Sequence, residues 1–187
     1  MNIYENYEDF ENSENEKKYM IFIKAIVQAI TVVALAWFCI NSFAQMHTFV
    51  GQSMQPSMYD GDMVLYNRVV YDVSPPERFD VVLFETSEGK LDIKRIVALP
   101  TETIQIVDGR VLIDGQHLVD ERIATDISLA GLASMPITLT EGEYFVLGDN
   151  VEASQDSRFD TIGNIQASRI IGKVWIDIWP LGHMRFY

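Results

Sequence analysis

The segment Val50-Gly51-Gln52-Ser53-Met54-Gln55-Pro56-Ser57-Met58 sets a serine among small and flexible residues, before a proline that forbids a continuing helix. A hydroxyl held on such an irregular turn can attack a carbonyl carbon once a base removes its proton. The nucleophile elbow of an α/β-hydrolase is excluded, because G-x-S-x-G requires a glycine where Gln55 stands. His47, His117 and His183 are scattered and offer no obvious partner, which leaves Lys94 as the candidate base. Lys94 lies in Leu91-Asp92-Ile93-Lys94-Arg95-Ile96-Val97-Ala98-Leu99-Pro100, an otherwise apolar, strand-like run. Successive side chains of a strand face opposite ways, so Lys94 and Arg95 cannot share a face, and one of them lies against the apolar side. An exposed lysine titrates near about 10.4 and is almost wholly charged at neutral pH. Burial disfavours the ammonium and turns the amine into a usable base. The plain alternative is a solvated edge lysine, the common fate of a lone strand lysine.

Two further stretches carry polar groups that could complete such a site. Gly61-Asp62 follows Ser53 closely and, taken alone, is an ordinary turn into a strand. Leu147-Gly148-Asp149-Asn150-Val151-Glu152-Ala153-Ser154-Gln155-Asp156-Ser157-Arg158 is dense in turn residues and hydrogen-bonding groups. Read blandly, it is a loop stitched by Asx turns and an Asp156–Arg158 pair.

These residues need a scaffold, and the strand signals supply one. Short β-branched runs at 63–66, 80–84, 93–99, 103–107, 111–113, 143–147 and 170–176 predict strands. Asp60-Gly61, Pro75-Pro76, Glu88-Gly89, Asp108-Gly109 and Asp114-Gly115 punctuate them. Asp-Gly supplies the positive φ of a tight hairpin, so residues 107–110 predict a two-residue turn between antiparallel strands. Residues 116–136 read as a looser stretch, a small lobe or lid. The expected fold is mainly β, an antiparallel domain over residues 45–187.

The chain has 187 residues and a net charge of -13, which argues against a nucleic-acid partner because phosphates would be repelled. The single cysteine, Cys39, cannot form an internal disulfide, and no Cys/His cluster has metal-ligand spacing, so neither metal nor other cofactor is expected. Residues 1–18 form an acidic tail with too little apolar content to pack, and disorder is expected there. Residues 19–44 predict a membrane anchor: no charged side chain occurs between Lys24 and Asp60, and about 20 apolar residues cover the roughly 30 Å hydrocarbon core. Lys17, Lys18 and Lys24 lie before the apolar stretch while the first basic residue beyond it is Arg68, which places the N-terminus in the cytoplasm and the domain outside. Ser42-Phe43-Ala44 has the small-x-small form of a signal-peptide cut site, which makes a cleavable signal peptide the alternative reading; the spanning length and long tail favour an uncleaved anchor.

In order, the anchor, the Ser-Met-x-Pro box, the Lys-Arg strand and the Gly-Asp-Asn…Ser-x-Asp-Ser-Arg box resemble bacterial type I signal peptidases, the serine–lysine enzymes that remove signal peptides from exported proteins. The resemblance covers nearly the whole chain after the tail. It implies Ser53 as nucleophile, Lys94 as general base, Ser154 as the hydroxyl that orients the lysine, Met54 as a wall of the substrate pocket, and Asp156 with Arg158 as the structural pair. It also implies a coiled antiparallel β core, preproteins as partners, the membrane as location, and cleavage after small residues at the first and third positions before the cut, as in Ala-x-Ala.

Some positions depart from the family pattern. Ser57-Met58 stand for Thr-Leu, Ala98 and Thr101 for two glycines, and Val151 for an arginine. The interval from Phe159 to Gly163 is longer by about two positions, and Gly51 cannot supply a side-chain oxyanion donor, which leaves the Ser53 N–H. Two other readings stay open: a membrane-tethered, non-catalytic assembly or chaperone relative, and a self-cleaving repressor peptidase with the same Ser-Lys dyad. The first would not need Ser53, Lys94 and Ser154 together; the second expects a DNA-binding N-terminal domain in place of the apolar segment.

Overall fold

The computed structural model describes residues 18–37 and 44–187. Most of the acidic tail, and Ser42 and Phe43 of the small-x-small site, lie outside the described residues. Helix α1 (Lys18–Trp37) is apolar along its length apart from Lys18, Lys24, Gln28 and Thr31, and it exposes every side chain. Its 20 residues rise about 30 Å, the thickness of a hydrocarbon core.

Residues from Ala44 onward form a separate compact unit of antiparallel strands. The strands are β1 (Ala44–Thr48), β2 (Met63–Asn67), β3 (Val81–Glu85), β4 (Leu91–Ala98), β5 (Thr103–Val107), β6 (Arg110–Ile113), β7 (Gln116–His117), β8 (Ile137–Thr138), β9 (Glu143–Leu147), β10 (Ile165–Gln166), β11 (Ile170–Trp179) and β12 (Arg185–Phe186). A one-turn helix, α2 (Val70–Val73), follows β2. The larger sheet runs β1-β2-β11-β3-β4-β9-β10, with β12 paired to β11; the smaller runs β7-β6-β5-β8. The stretch 116–136 thus begins with β7 of the smaller sheet and continues through irregular backbone to a 3-10 turn at Gly131–Ser134. β5 and β6 meet in the tight turn expected from Asp108-Gly109, both of which hold positive φ, at 49° and 73°.

β1 departs from the expected strands: the predicted anchor runs to Ala44, and Ala44-Gln-Met-His-Thr48 carries little β-branched content. In register, Ala44 faces Asn67 and Gln45 faces Tyr66. The Ala44–Gln45 bond therefore lies inside a paired strand, and a protease needing it extended in its own cleft would first have to unpair it.

β3 and β4 are covered on both faces, which is why they read as continuous apolar runs. Val81 and Leu83 pack with Phe49, Met54, Met58 and Ile93, whereas Val82 and Phe84 pack with Ile96, Tyr144 and Val146. A third cluster joins the smaller sheet, through Ile104, Ile106 and Val111, to Val97, Ala98, Phe145 and Leu147 of β4 and β9. The Ser53 segment is pinned to this core by Met54 and Met58, both without exposed surface. Thr101, where the family pattern has glycine, holds φ at 72°, a left-handed conformation rarely adopted by a β-branched residue.

Candidate active site

Ser53 sits on the turn after β1. The Gly51 N–H donates to Asp60 Oδ1 at 2.8 Å and the Met58 N–H to Met54 O at 2.9 Å, which closes the loop on itself. From the Gly-Asp-Asn segment, the Asn150 N–H donates to Ser53 O at 2.9 Å and Asn150 Nδ2 to Gln52 O at 3.2 Å. Those bonds tie the two motifs together across nearly a hundred residues of chain. Gly148 explains the glycine of the second motif: a Cβ there would lie 2.3 Å from Ser154 Oγ and 2.4 Å from Ser53 O.

Lys94 projects from β4 so that its Nζ stands 3.0 Å from Ser53 Oγ. Only 2% of Lys94 and 9% of Ser53 is exposed, so the lysine is not a solvated edge residue. The two line the floor of a cleft of about 500 Å³ whose walls include Gln52, Asp92, Ala153, Gln155 and Ile162. Met54, expected beside the pocket, is fully buried in the core next to Ser53 in sequence.

The Nζ has two other partners, Asp92 Oδ1 at 2.6 Å and Ile93 O at 3.1 Å. Asp92 was not among the residues singled out from sequence. The available signal was its spacing: two positions before Lys94 on one strand puts both on the same face. Ser154, expected to orient the amine, is buried nearby, but its Oγ has no hydrogen-bond partner among the described residues. His47 is half-buried on β1; burial pushes its imidazole down from the usual range, and the Asp92 carboxylate pulls the other way.

Arg95 faces the other way, as strand alternation requires, yet it too is buried. It makes a bidentate pair with Asp149, with Nε to Oδ1 at 2.8 Å and an Nη to Oδ2 at 2.6 Å, and its other Nη donates to Phe79 O at 2.9 Å. Asp156 and Arg158 form a second buried bidentate pair at 2.8 and 2.9 Å. Arg158 also donates to Leu129 O and Val151 O, and Asp156 Oδ2 accepts the Gly148 N–H at 3.2 Å. The pair thereby fixes both ends of the loop that carries Ser154. Among the described residues, no group of three or more His, Cys, Asp or Glu is placed to hold a metal ion.

A nucleophilic hydroxyl 3.0 Å from a buried amine can perform acyl transfer on a carbonyl bound in the cleft. Proteins similar to this chain carry one activity in their names. The chain is 30% identical over 186 residues to a signal peptidase I of Bacillus licheniformis, covering 94% of this chain and 97% of that protein. It is 30% identical over 176 residues to signal peptidase I T of Bacillus subtilis, covering 89% of each. A crystal structure of a signal peptidase I from Enterococcus faecalis aligns at 28% identity with a TM-score of 0.46, over 54% of this chain and 97% of that one. The family described as signal peptidase, peptidase S26, matches residues 21–179, most of the chain, and the protein belongs to that family.

Proposed function

We propose that the chain is a membrane-anchored serine endopeptidase that removes signal peptides from exported preproteins after small-x-small sites. The observation that carries this reading is the 3.0 Å approach of Ser53 Oγ to Lys94 Nζ on the floor of an open cleft. Ser53 attacks the scissile carbonyl while the neutral Lys94 amine takes its proton and delivers it to the leaving amine. Water deprotonated by the same amine then hydrolyses the acyl-enzyme. The Ser53 N–H, which donates to no group among the described residues, is left to stabilise the oxyanion. Asp156 and Arg158 support the loop around the site, and Met54 backs the nucleophile.

In this reading α1 crosses the cell membrane once, with the tail in the cytoplasm and residues 45–187 on the outer face, where a preprotein's cut site emerges. The basic residues before the apolar stretch motivate that orientation. The experiment is cleavage of a single preprotein by detergent-solubilised protein beside Ser53→Ala and Lys94→Ala, with protease treatment of intact protoplasts as the companion measurement. Both variants should fall by about 10³-fold or more. The domain should be digested from outside while the tail is protected. An active Ser53→Ala would refute the mechanism; a digested tail with a protected domain would refute the orientation.

A further inference from the structure

A neutral primary amine has two N–H donors and one lone pair, and a base must aim the lone pair at the proton it takes. Among the described residues Lys94 Nζ has three hydrogen-bond partners: Ser53 Oγ at 3.0 Å, Asp92 Oδ1 at 2.6 Å and Ile93 O at 3.1 Å. A carboxylate and a carbonyl can only accept, so each must take an N–H of the amine. Ser53 alone can donate, so the one direction left on the nitrogen, the lone pair, faces the hydroxyl proton. The buried Oγ of Ser154 makes no hydrogen bond to the amine among the described residues.

We propose that Asp92 is the positioning residue of the base, and that its Oδ1 sets the rotation of the Lys94 amine so that the lone pair meets Ser53 Oγ. This rests on the Ser53–Lys94 reading above. Asp92 is suited to the task because it is itself held: Oδ1 also accepts the Ile93 N–H at 2.7 Å. Its place on β4, two residues before Lys94, brings it to the same side of the strand without any loop having to order. The carboxylate accepts from the amine before proton transfer and from the ammonium after it, so the nitrogen keeps one anchor through the cycle. The side chain remains 26% exposed on the cleft wall, where a bound substrate would cover it. Covering it excludes water, which strengthens the contact when chemistry begins.

The test is steady-state cleavage of one preprotein by the full chain in detergent, comparing Asp92→Ala, Asp92→Asn, Ser154→Ala and Lys94→Ala, with melting temperatures alongside. Loss of an aiming contact should lower kcat of Asp92→Ala by about 10- to 100-fold while KM stays within about twofold. Asp92→Asn keeps an acceptor oxygen in the same place and should recover to within about fivefold of wild type. Ser154→Ala should lose less than Asp92→Ala. A wild-type kcat for Asp92→Ala, an Asp92→Asn no better than Asp92→Ala, or a Ser154→Ala that is the more damaged of the two would each overturn the assignment. Should Asp92→Ala not fold, Asp92→Asn decides alone, and a loss beyond about tenfold overturns it. Turnover by Lys94→Ala would instead overturn the dyad on which the assignment rests, so the two failures are distinct.

Discussion

The two faces of β4 hold neighbouring cations under different rules. On one, Lys94 meets a single carboxylate that is partly open to the cleft, and its other contacts are a hydroxyl and a carbonyl. On the other, Arg95 is locked by a bidentate carboxylate and a carbonyl, with both partners of the pair nearly out of solvent. Arginine cannot release a proton in the usable range, and its planar fork suits a fixed, fully paired socket. Lysine offers a compact nitrogen that can change protonation and rotate. On the proposed mechanism, adjacent residues of like charge divide into a reacting side and a holding side, and strand alternation separates them.

Exchanging the two residue types is the strongest way to break that division. Lys94→Arg keeps the charge but removes the base, so activity should fall by about 10³-fold or more with little change in Tm. Arg95→Lys should behave oppositely: the fork to Asp149 is lost, stability drops by about 2 kcal/mol, or roughly 6 °C in Tm, and folded enzyme keeps most of its turnover. Preprotein cleavage at a permissive temperature, together with calorimetry, reads both. Substantial turnover by Lys94→Arg would sink the Ser53–Lys94 assignment. Reduced activity of Arg95→Lys at unchanged Tm would show that the holding side also reaches the chemistry.

The same contrast explains what could be read from residue types and what could not. Strands, the Asp108-Gly109 hairpin and the two motif loops were legible because period-2 patterning, turn chemistry and residue identity are local. β1 was not, because an edge strand of weak propensity beside an apolar segment leaves little local signature. Alternation showed that Lys94 and Arg95 part company, but not that both are buried; that follows from packing on both faces of β4. Asp92 carries no such local signal, because an acid beside a base in a strand looks like surface, and its spacing matters only once the fold brings Ser53 to Lys94. Among the described residues the Oγ of Ser154 has no hydrogen-bond partner, so its expected contact with the amine is not made there.

A smaller perturbation tests where the two sides are joined. Gly148 lies between the nucleophile loop and Ser154, and an added Cβ would meet Ser53 O at 2.4 Å and Ser154 Oγ at 2.3 Å. Backbone cannot give way as a flexible side chain can, so Gly148→Ala should displace the Ser53 turn. A shift of that kind costs about 10- to 100-fold in turnover and about 1–3 kcal/mol in stability. Lys94 and Asp92 are untouched by the change, so the loss should appear in kcat with the cleft intact. Wild-type turnover would mean that Ser53 tolerates displacement and is not held for attack.

The smallest expected effect lies away from the cleft, where the C-terminal residues buttress the loop that follows Ser53. The Tyr187 Oη donates to Ser57 O at 2.6 Å, and His183 Nδ1 stands 3.0 Å from Asp62 Oδ1. Asp62 and Asp177 are both buried side by side; Asp177 Oδ1 accepts the Trp179 N–H, while its Oδ2 has no partner among the described residues. A proton on Asp177, donated to Asp62, satisfies that orphaned oxygen. Burial first, and the Asp62 carboxylate second, push the Asp177 carboxyl up to about 6 from its ordinary 3.8. The native state therefore holds a proton that the unfolded chain has released by about pH 4. Where the native state binds more protons, stability falls as pH rises, so this contribution declines between about pH 4 and 6 and is gone above that window. Asp177→Asn replaces the titrating proton with a permanent amide donor. The wild type should lose Tm relative to the variant as pH rises from 5 to 7, by a few degrees in thermal melts at constant ionic strength, with cleavage of a preprotein nearly unchanged. Parallel Tm curves for the two proteins would show that Asp177 does not hold the shared proton.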